Sequence, residues 1–398
     1  MQFHTLIIIL SLTFVYGMDR KIHPIINPDC SYCSNDTILY YIKAVGQKDT
    51  IHQLWDFTRG VPTVMYAIAN GSSNLKVEWA ANKPISFNID PEPTYKFAAA
   101  IDKIYNYDDV NDKGYMDKKY EKIGYNLKDV RWEVNASTVS DTEAMLKVRS
   151  KDWARGIIEI KLDLLPYGGY APDLPHLVHS SNSSQVDVAL VNATGAARFN
   201  ESRFALGVLV ASSDPASASM VSNMRKSLDD EHTPGVFEVI EVETPATAAR
   251  GDGGFLQFRP VAYTQRKRSV ESSTNVHLSE FTKTELPHAS TLRKFFDGYF
   301  DEAGAVDVRK DILVEAMFIS FGEPNDGFYK AYNFTSWSFT CGYGAPPREA
   351  FSLFVVLVIA VGLGVPVLLA LSGVAYVLGR RLRQRRNPPV PLPEEEDE

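Results

Sequence analysis

The side chains best placed for acid–base chemistry are His176 and His179, close to Asp173. An imidazole titrates near neutrality, so both rings would carry charge in an acidic compartment. A metal would need a third ligand that the sequence does not place, and Pro166, Pro172 and Pro175 mark the segment as a surface loop. Asp108 with Asp109, and Asp229, Asp230 and Glu231, are carboxylate runs. Glycosidase-type acid and base groups must flank a substrate from separate elements, so these runs read as solvated turns or strand-edge charges. No nucleophile elbow, HExxH, phosphate loop or catalytic-cysteine signature is present. No catalytic residue, metal ligand or cofactor is therefore assigned. A lumenal hydrolase remains a rival reading, and it requires a deep pocket with convergent carboxylates or histidines around His176 and His179.

Three cysteines make an odd count. Cys30 and Cys33 have a spacing close to that of redox and zinc motifs, but no second ligand pair and no βαβ context accompany them. The expectation is a local disulfide, or a link from one of the two to Cys341. Modification chemistry gives a stronger signal. Seven N-x-[ST] acceptor triplets stand at Asn35, Asn70, Asn135, Asn182, Asn192, Asn200 and Asn333, and all precede the long apolar segment near the C-terminus. Each glycan must sit on the surface, so the triplets map exposed positions.

The elements that must position these groups begin with the two ends. Residues 1–17 hold an apolar run from Leu6 to Val15, too short to span a bilayer, which ends at the small residue Gly17 and reads as a signal peptide. Residues 350–379 contain no charge and are long enough for a transmembrane helix. Arg380, Arg381, Arg383, Arg385 and Arg386 follow at once, so the positive-inside bias places residues 380–398 in the cytosol. The topology is single-pass type I, with residues 18–349 as a lumenal ectodomain. The chain's net charge of −8 falls entirely on that ectodomain, because the five arginines of the tail cancel its five acidic residues. An acidic ectodomain argues against nucleic-acid binding. Glycans and an acidic balance suit a protein living among hydrolases, and equally a cell-surface receptor or adhesion protein.

Within the ectodomain, short apolar–polar alternations separated by turn signals predict a mainly β fold. Candidate strands are 38–45, 63–69, 75–80, 130–134, 144–148, 156–164, 185–191, 204–211, 236–242, 255–263 and 312–321, which implies a sandwich of one large or two packed units. The best amphipathic helix is 292–300, with Leu292, Phe295, Phe296 and Tyr299 on one face. The polar interval 264–287, with Arg266, Lys267 and Arg268, reads as an exposed loop between the two halves. In the membrane segment, Gly362, Pro366, Ala370 and Gly373 recur at helical spacing and form a face of small residues suited to a partner helix.

Four segments carry a family resemblance: LYYIKAVGQKDTIHQLWDF from Leu39, SLDDEHTPGVFEV from Ser227, FLQFRPVAYTQ from Phe255, and NFTSWSFTCGYGAPP from Asn333 leading into AVGLGVPVLLALSG. In these the chain resembles the glycosylated lysosomal membrane proteins. The resemblance implies a non-enzymatic lysosomal accessory subunit. Its expected partner is a polytopic transporter of the major facilitator superfamily that exports dipeptides, which it protects from lumenal proteolysis and helps to localise. No catalytic residue carries over. The tail, GRRLRQRRNPPVPLPEEEDE, departs from the family in having neither the tyrosine-based sorting signal nor a dileucine. Delivery then falls to the partner, the acidic end of the tail, or a weaker signal at Leu392.

Overall fold

Apolar–polar alternation along short segments builds two ten-stranded antiparallel sheets among the described residues. The structure is a computed structural model describing residues 19–174, 177–227, 238–246, 252–259, 262–296, 312–331, 333–349 and 353–386. The chain divides into two compact units, residues 1–348 and 349–398.

The first sheet runs, in spatial order, through Lys21–Ile26, Leu39–Val45, Asp49–Asp56, Thr63–Asn70, Tyr95–Asp108, Ser202–Ser212, Leu313–Phe321 and Val276–Leu278. The second runs through Val221–Lys226, Glu238–Glu243, Gly254–Phe258, Phe334–Tyr343, Ser183–Val191, Ile157–Leu164, Ala144–Ser150 and Trp132–Val139. Short strands pair off each path. The chain visits the first sheet, then the second, and then returns to the first at Ser202. Of the two arrangements open to the sequence, the fold is therefore one large sandwich. Its shared core takes Trp55, Tyr66 and Phe97 from one sheet and Val186, Leu256 and Trp337 from the other. A fully buried side chain of this class contributes about 1.5–3 kcal/mol. The Tyr66 hydroxyl donates to the Cys341 carbonyl at 2.5 Å, and Gln53 donates to Ser184, so polar bonds also tie the layers together.

The first sheet is covered on its outer face as well. The hairpin Asn74–Ala80/Lys83–Asp90 and the helix Thr291–Phe295 bury Leu39, Leu54, Met65 and Ala98 beneath Val77, Phe87, Leu292 and Phe295. The helix begins at Ser290, whose side chain accepts the Arg293 N–H at 3.2 Å. Leu292, Phe295 and Phe296 are buried as their spacing predicts, and Tyr299 lies outside the described residues. The interval 264–287 differs from expectation. It is threaded through both sheets instead of lying free: Ser273–Thr274 pairs with the second sheet's Ala262–Tyr263, while Val276–Leu278 and Thr282–Lys283 pair with Leu313–Phe321 of the first. Its polar composition reflects edge strands, whose outward side chains meet water.

Candidate functional site

Alternation along three neighbouring strands of the second sheet sets up a polar outer face. Leu162, Val186 and Phe339 point into the core. Residues one step away point outward. The register places Asp163 opposite Gln185 and Gln185 opposite Thr340, with Lys161 opposite Asp187 and Asp187 opposite Ser338 in the next row. The segment between Leu164 and Ser183 folds back over this face. It forms a small hairpin, Gly169–Tyr170 with Val178–His179, and a minor apolar cluster of Ala171, Leu174, Leu177 and Tyr263. The Val178 carbonyl accepts the Thr340 hydroxyl at 2.8 Å. Between cover and sheet lies a cleft of about 320 Å³, lined by Glu143, Lys161, Asp163, Tyr167, Asp173, Leu174, Gln185 and Asp187.

The cleft's electrostatics follow from partial burial. Lys161 Nζ lies 3.3 Å from Asp163 and 3.1 Å from Asp173. Burial disfavours its ammonium, yet the two carboxylates outweigh that and hold its pKa above the ordinary value. Asp187 accepts the Ser338 hydroxyl at 2.6 Å and pairs with Arg268. Asp163 is pushed up to about 6 by burial, opposed by Lys161 and reinforced by Glu143.

His179 is not the surface-loop histidine that the sequence suggested. His179 is buried in the hairpin against the Tyr167 ring, and burial pushes its pKa down to about 4. It is a neutral packing residue where a charged imidazole was expected. Asp173 is exposed and engaged by Lys161, and His176 lies outside the described residues. The cleft's own residues, Lys161, Asp163, Gln185 and Asp187, sit two apart on separate strands. That signal is visible only once the strand register is known. Among the described residues, no group of three or more His, Cys, Asp and Glu is placed to hold a metal.

A second charged centre also escaped the sequence reading. Arg203 is fully buried, ion-paired with buried Asp109 at 3.2 Å, with Asp112 at 3.1 Å and with Asp326 at 2.7 Å, and stacked near Phe321 and Phe328. Asp109, expected as a solvated turn, also accepts the Lys113 and Gly114 N–H groups. Two turns meet here so closely that a Cβ on Gly114, at φ +80°, would stand 2.5 Å from the Gly322 backbone. The arrangement is a structural clamp. The companion run Asp229–Glu231 lies outside the described residues.

Among the sequon asparagines, Asn35, Asn70, Asn135, Asn192, Asn200 and Asn333 are exposed, and Asn182 is partly buried with its side-chain oxygen accepting from Arg20 at 2.6 Å. Asn192 and Asn333 are neighbours, their side chains 3.3 Å apart. They lie at the opposite end of the second sheet from Asn182 and Tyr343, where the last strand runs out. The cysteines divide cleanly: Cys30 and Cys33 form a disulfide, while Cys341 is a free thiol, fully buried in the core. Burial holds its pKa far above the ordinary thiol value.

Comparison with known proteins assigns the chain as a whole. The family profile described as glycosylated lysosomal membrane protein matches residues 38–384. The chain belongs to the glycosylated lysosomal membrane protein family. It is 30% identical to glycosylated lysosomal membrane protein B of Xenopus laevis, over 91% of this chain and 90% of the relative. It is 28% identical to the Mus musculus protein of that family over 88% and 86%, and 26% identical to the Homo sapiens protein over 84% and 82%. These relatives are named as membrane proteins and not as enzymes.

For a member of a lysosomal membrane protein family, the second unit has the corresponding element. Its helix runs Leu353–Arg386, and residues Phe354–Arg383 are long and apolar enough to cross a bilayer. Gly362, Pro366, Ala370 and Gly373 all fall in this helix and are exposed, and no atom lies within 4 Å of a Cβ built on either glycine. Pro366 has no N–H, which leaves the Gly362 carbonyl without its usual helical donor on the same face. The tail residues 387–398 and the signal segment 1–17 lie outside the described residues.

Proposed function

We propose that this chain is a non-enzymatic, single-pass type I accessory protein of the lysosomal membrane. It binds a polytopic transporter of the major facilitator superfamily, shields it from lumenal proteolysis and supports its residence in the lysosome. Its ectodomain is lumenal and its arginine-rich C-terminus cytosolic. The observation that carries the reading is the pairing of a sandwich whose sequon asparagines are mostly exposed with an apolar helix that carries a row of small residues. Six exposed sequon asparagines spread over both sheets can coat the ectodomain, and the Gly362–Gly373 face lacks side-chain bulk, so a neighbouring helix can approach closely. The pairing within the polar cleft favours the non-enzymatic reading: Lys161 ties Asp163 to Asp173, Arg268 occupies Asp187, and His179 is neutral and buried.

Affinity purification of the tagged chain from mild detergent, followed by mass spectrometry, tests the reading. A polytopic transporter is the expected major membrane partner. Recovery of the chain without one, together with residence at the plasma membrane, refutes it.

A further inference from the structure

Two of the acceptor asparagines stand too close together to be modified independently. Ser183–Val191 and Phe334–Tyr343 pair antiparallel, with Val191 opposite Phe334. A further backbone bond, in which the Asn192 N–H donates to the Asn333 carbonyl at 2.9 Å, sets Asn192 opposite Asn333. Facing positions of such a pair hold their Cβ atoms about 4.5–5.5 Å apart. The Asn333 Nδ2 donates to the Asn192 Oδ1 at 3.3 Å, so the two amides touch. A glycan is joined through this amide nitrogen, and its first sugar ring is wider than the gap that touching amides leave. A chain modified at both residues would have to part the amides to bring these strand ends together.

The two triplets also differ in access. Asn192 and Thr194 are exposed and Ala193 is half-buried. In the other triplet Asn333 is exposed, but Phe334 is 7% and Thr335 2% exposed, and Thr335 Oγ1 is closed off from solvent. The transferring enzyme has to engage the hydroxyl residue of the triplet, so Asn333 is open to it only until its strand has paired. That strand lies between Ser183–Val191 and Gly254–Phe258, and both precede it in the chain, so both neighbours already exist when it is made. Asn192 is made 141 residues earlier.

We propose that in the folded chain this pair carries one oligosaccharide and not two: Asn192 takes the glycan, and while it holds one Asn333 stays bare. Closeness makes the two sites exclusive, and access and order decide which is used. The unmodified Asn333 amide keeps its bond to Asn192 across the end of the two strands. The proposal rests on the lumenal ectodomain of the reading above and not on the transporter.

The test is site occupancy by mass spectrometry on the full-length chain purified in mild detergent from mammalian cells, each glycosylated asparagine being marked by enzymatic conversion to heavy-oxygen-labelled aspartate. Asn192 should be close to fully occupied and Asn333 nearly empty, and the two fractions should sum to no more than one. Asn192→Gln should raise occupancy at Asn333 several-fold, while Asn135→Gln, in the distant edge strand Trp132–Val139, should leave it unchanged. Thermal unfolding of both variants establishes that they are folded. Fractions summing well above one mean that single chains carry both sugars and overturn the proposal, as does an Asn333 occupancy that stays low in a folded Asn192→Gln chain. Glycans absent from all seven acceptors would overturn the lumenal reading, and this proposal with it.

Discussion

At the scale of single residues, buried titratable groups couple this ectodomain's stability to pH in both senses. His52 is held neutral by burial, with Lys43 adding to the effect, and hydrogen-bonds Tyr41 and Ser73; like His179, its pKa is pushed down to about 4 from the ordinary 6.5. The unfolded chain takes up these protons as pH falls through 6.5, and the folded chain only near 4. The stability the histidines support is complete above pH 6.5 and is lost between 6.5 and 4, at about 1.4 kcal/mol per pH unit for each. Asp163 works in the opposite sense: folded, it binds its proton near 6, and unfolded near 3.8, so stability is gained as pH falls across that window. Asp56 and Asp102, whose carboxyls burial also raises, act in the same sense as Asp163. Asp163→Asn should raise the melting temperature at pH 7 and progressively less toward pH 4; a gain independent of pH would contradict the assignment. Arg203→Met should cost about 3–5 kcal/mol, because it strands Asp109, Asp112 and Asp326 without their shared cation. A denaturant midpoint within error of the parent would refute that role. Neither centre was legible in the sequence, since Asp109 and Arg203 are 94 residues apart in sequence and a pleated register must first bring Asp163 beside Gln185.

At the scale of elements, alternation was a sound guide wherever one strand face meets the core and the other meets water. Ala144–Ser150 and Ile157–Leu164 lie within two residues of their predicted bounds. Several strands went unpredicted, among them Lys21–Ile26, Lys83–Asp90, Val221–Lys226 and Phe334–Tyr343, and two more show why. Asp49–Asp56 buries residues on both faces, including His52 and Gln53, because a hairpin and a helix cover the first sheet from outside. Tyr95–Asp108 carries three consecutive alanines, Ala98 and Ala100 beneath that same cover and Ala99 toward the shared core, and neither strand reads as a simple alternation. The membrane helix was read correctly as an element, and its partner face is open to direct test. Replacing Gly362 and Gly373 together with leucine should leave membrane insertion unchanged and reduce recovery of the transporter several-fold in co-purification. Full recovery would refute a role for that face in partner binding.

At the scale of the whole molecule, the C-terminal apolar helix and the family were legible, because each is a local sequence pattern that folding does not alter. The sequon asparagines sit on a sandwich whose first sheet is covered on both faces, and whose second is covered on the core side and under the Gly169–His179 hairpin. Protection of the proposed partner from lumenal proteases is read directly in its lifetime. In cells lacking this chain, pulse-chase of the associated transporter should show a lysosomal half-life shortened several-fold, restored by inhibitors of lumenal proteases and by re-expression of the full chain. A transporter half-life that is the same with and without the chain would contradict the account.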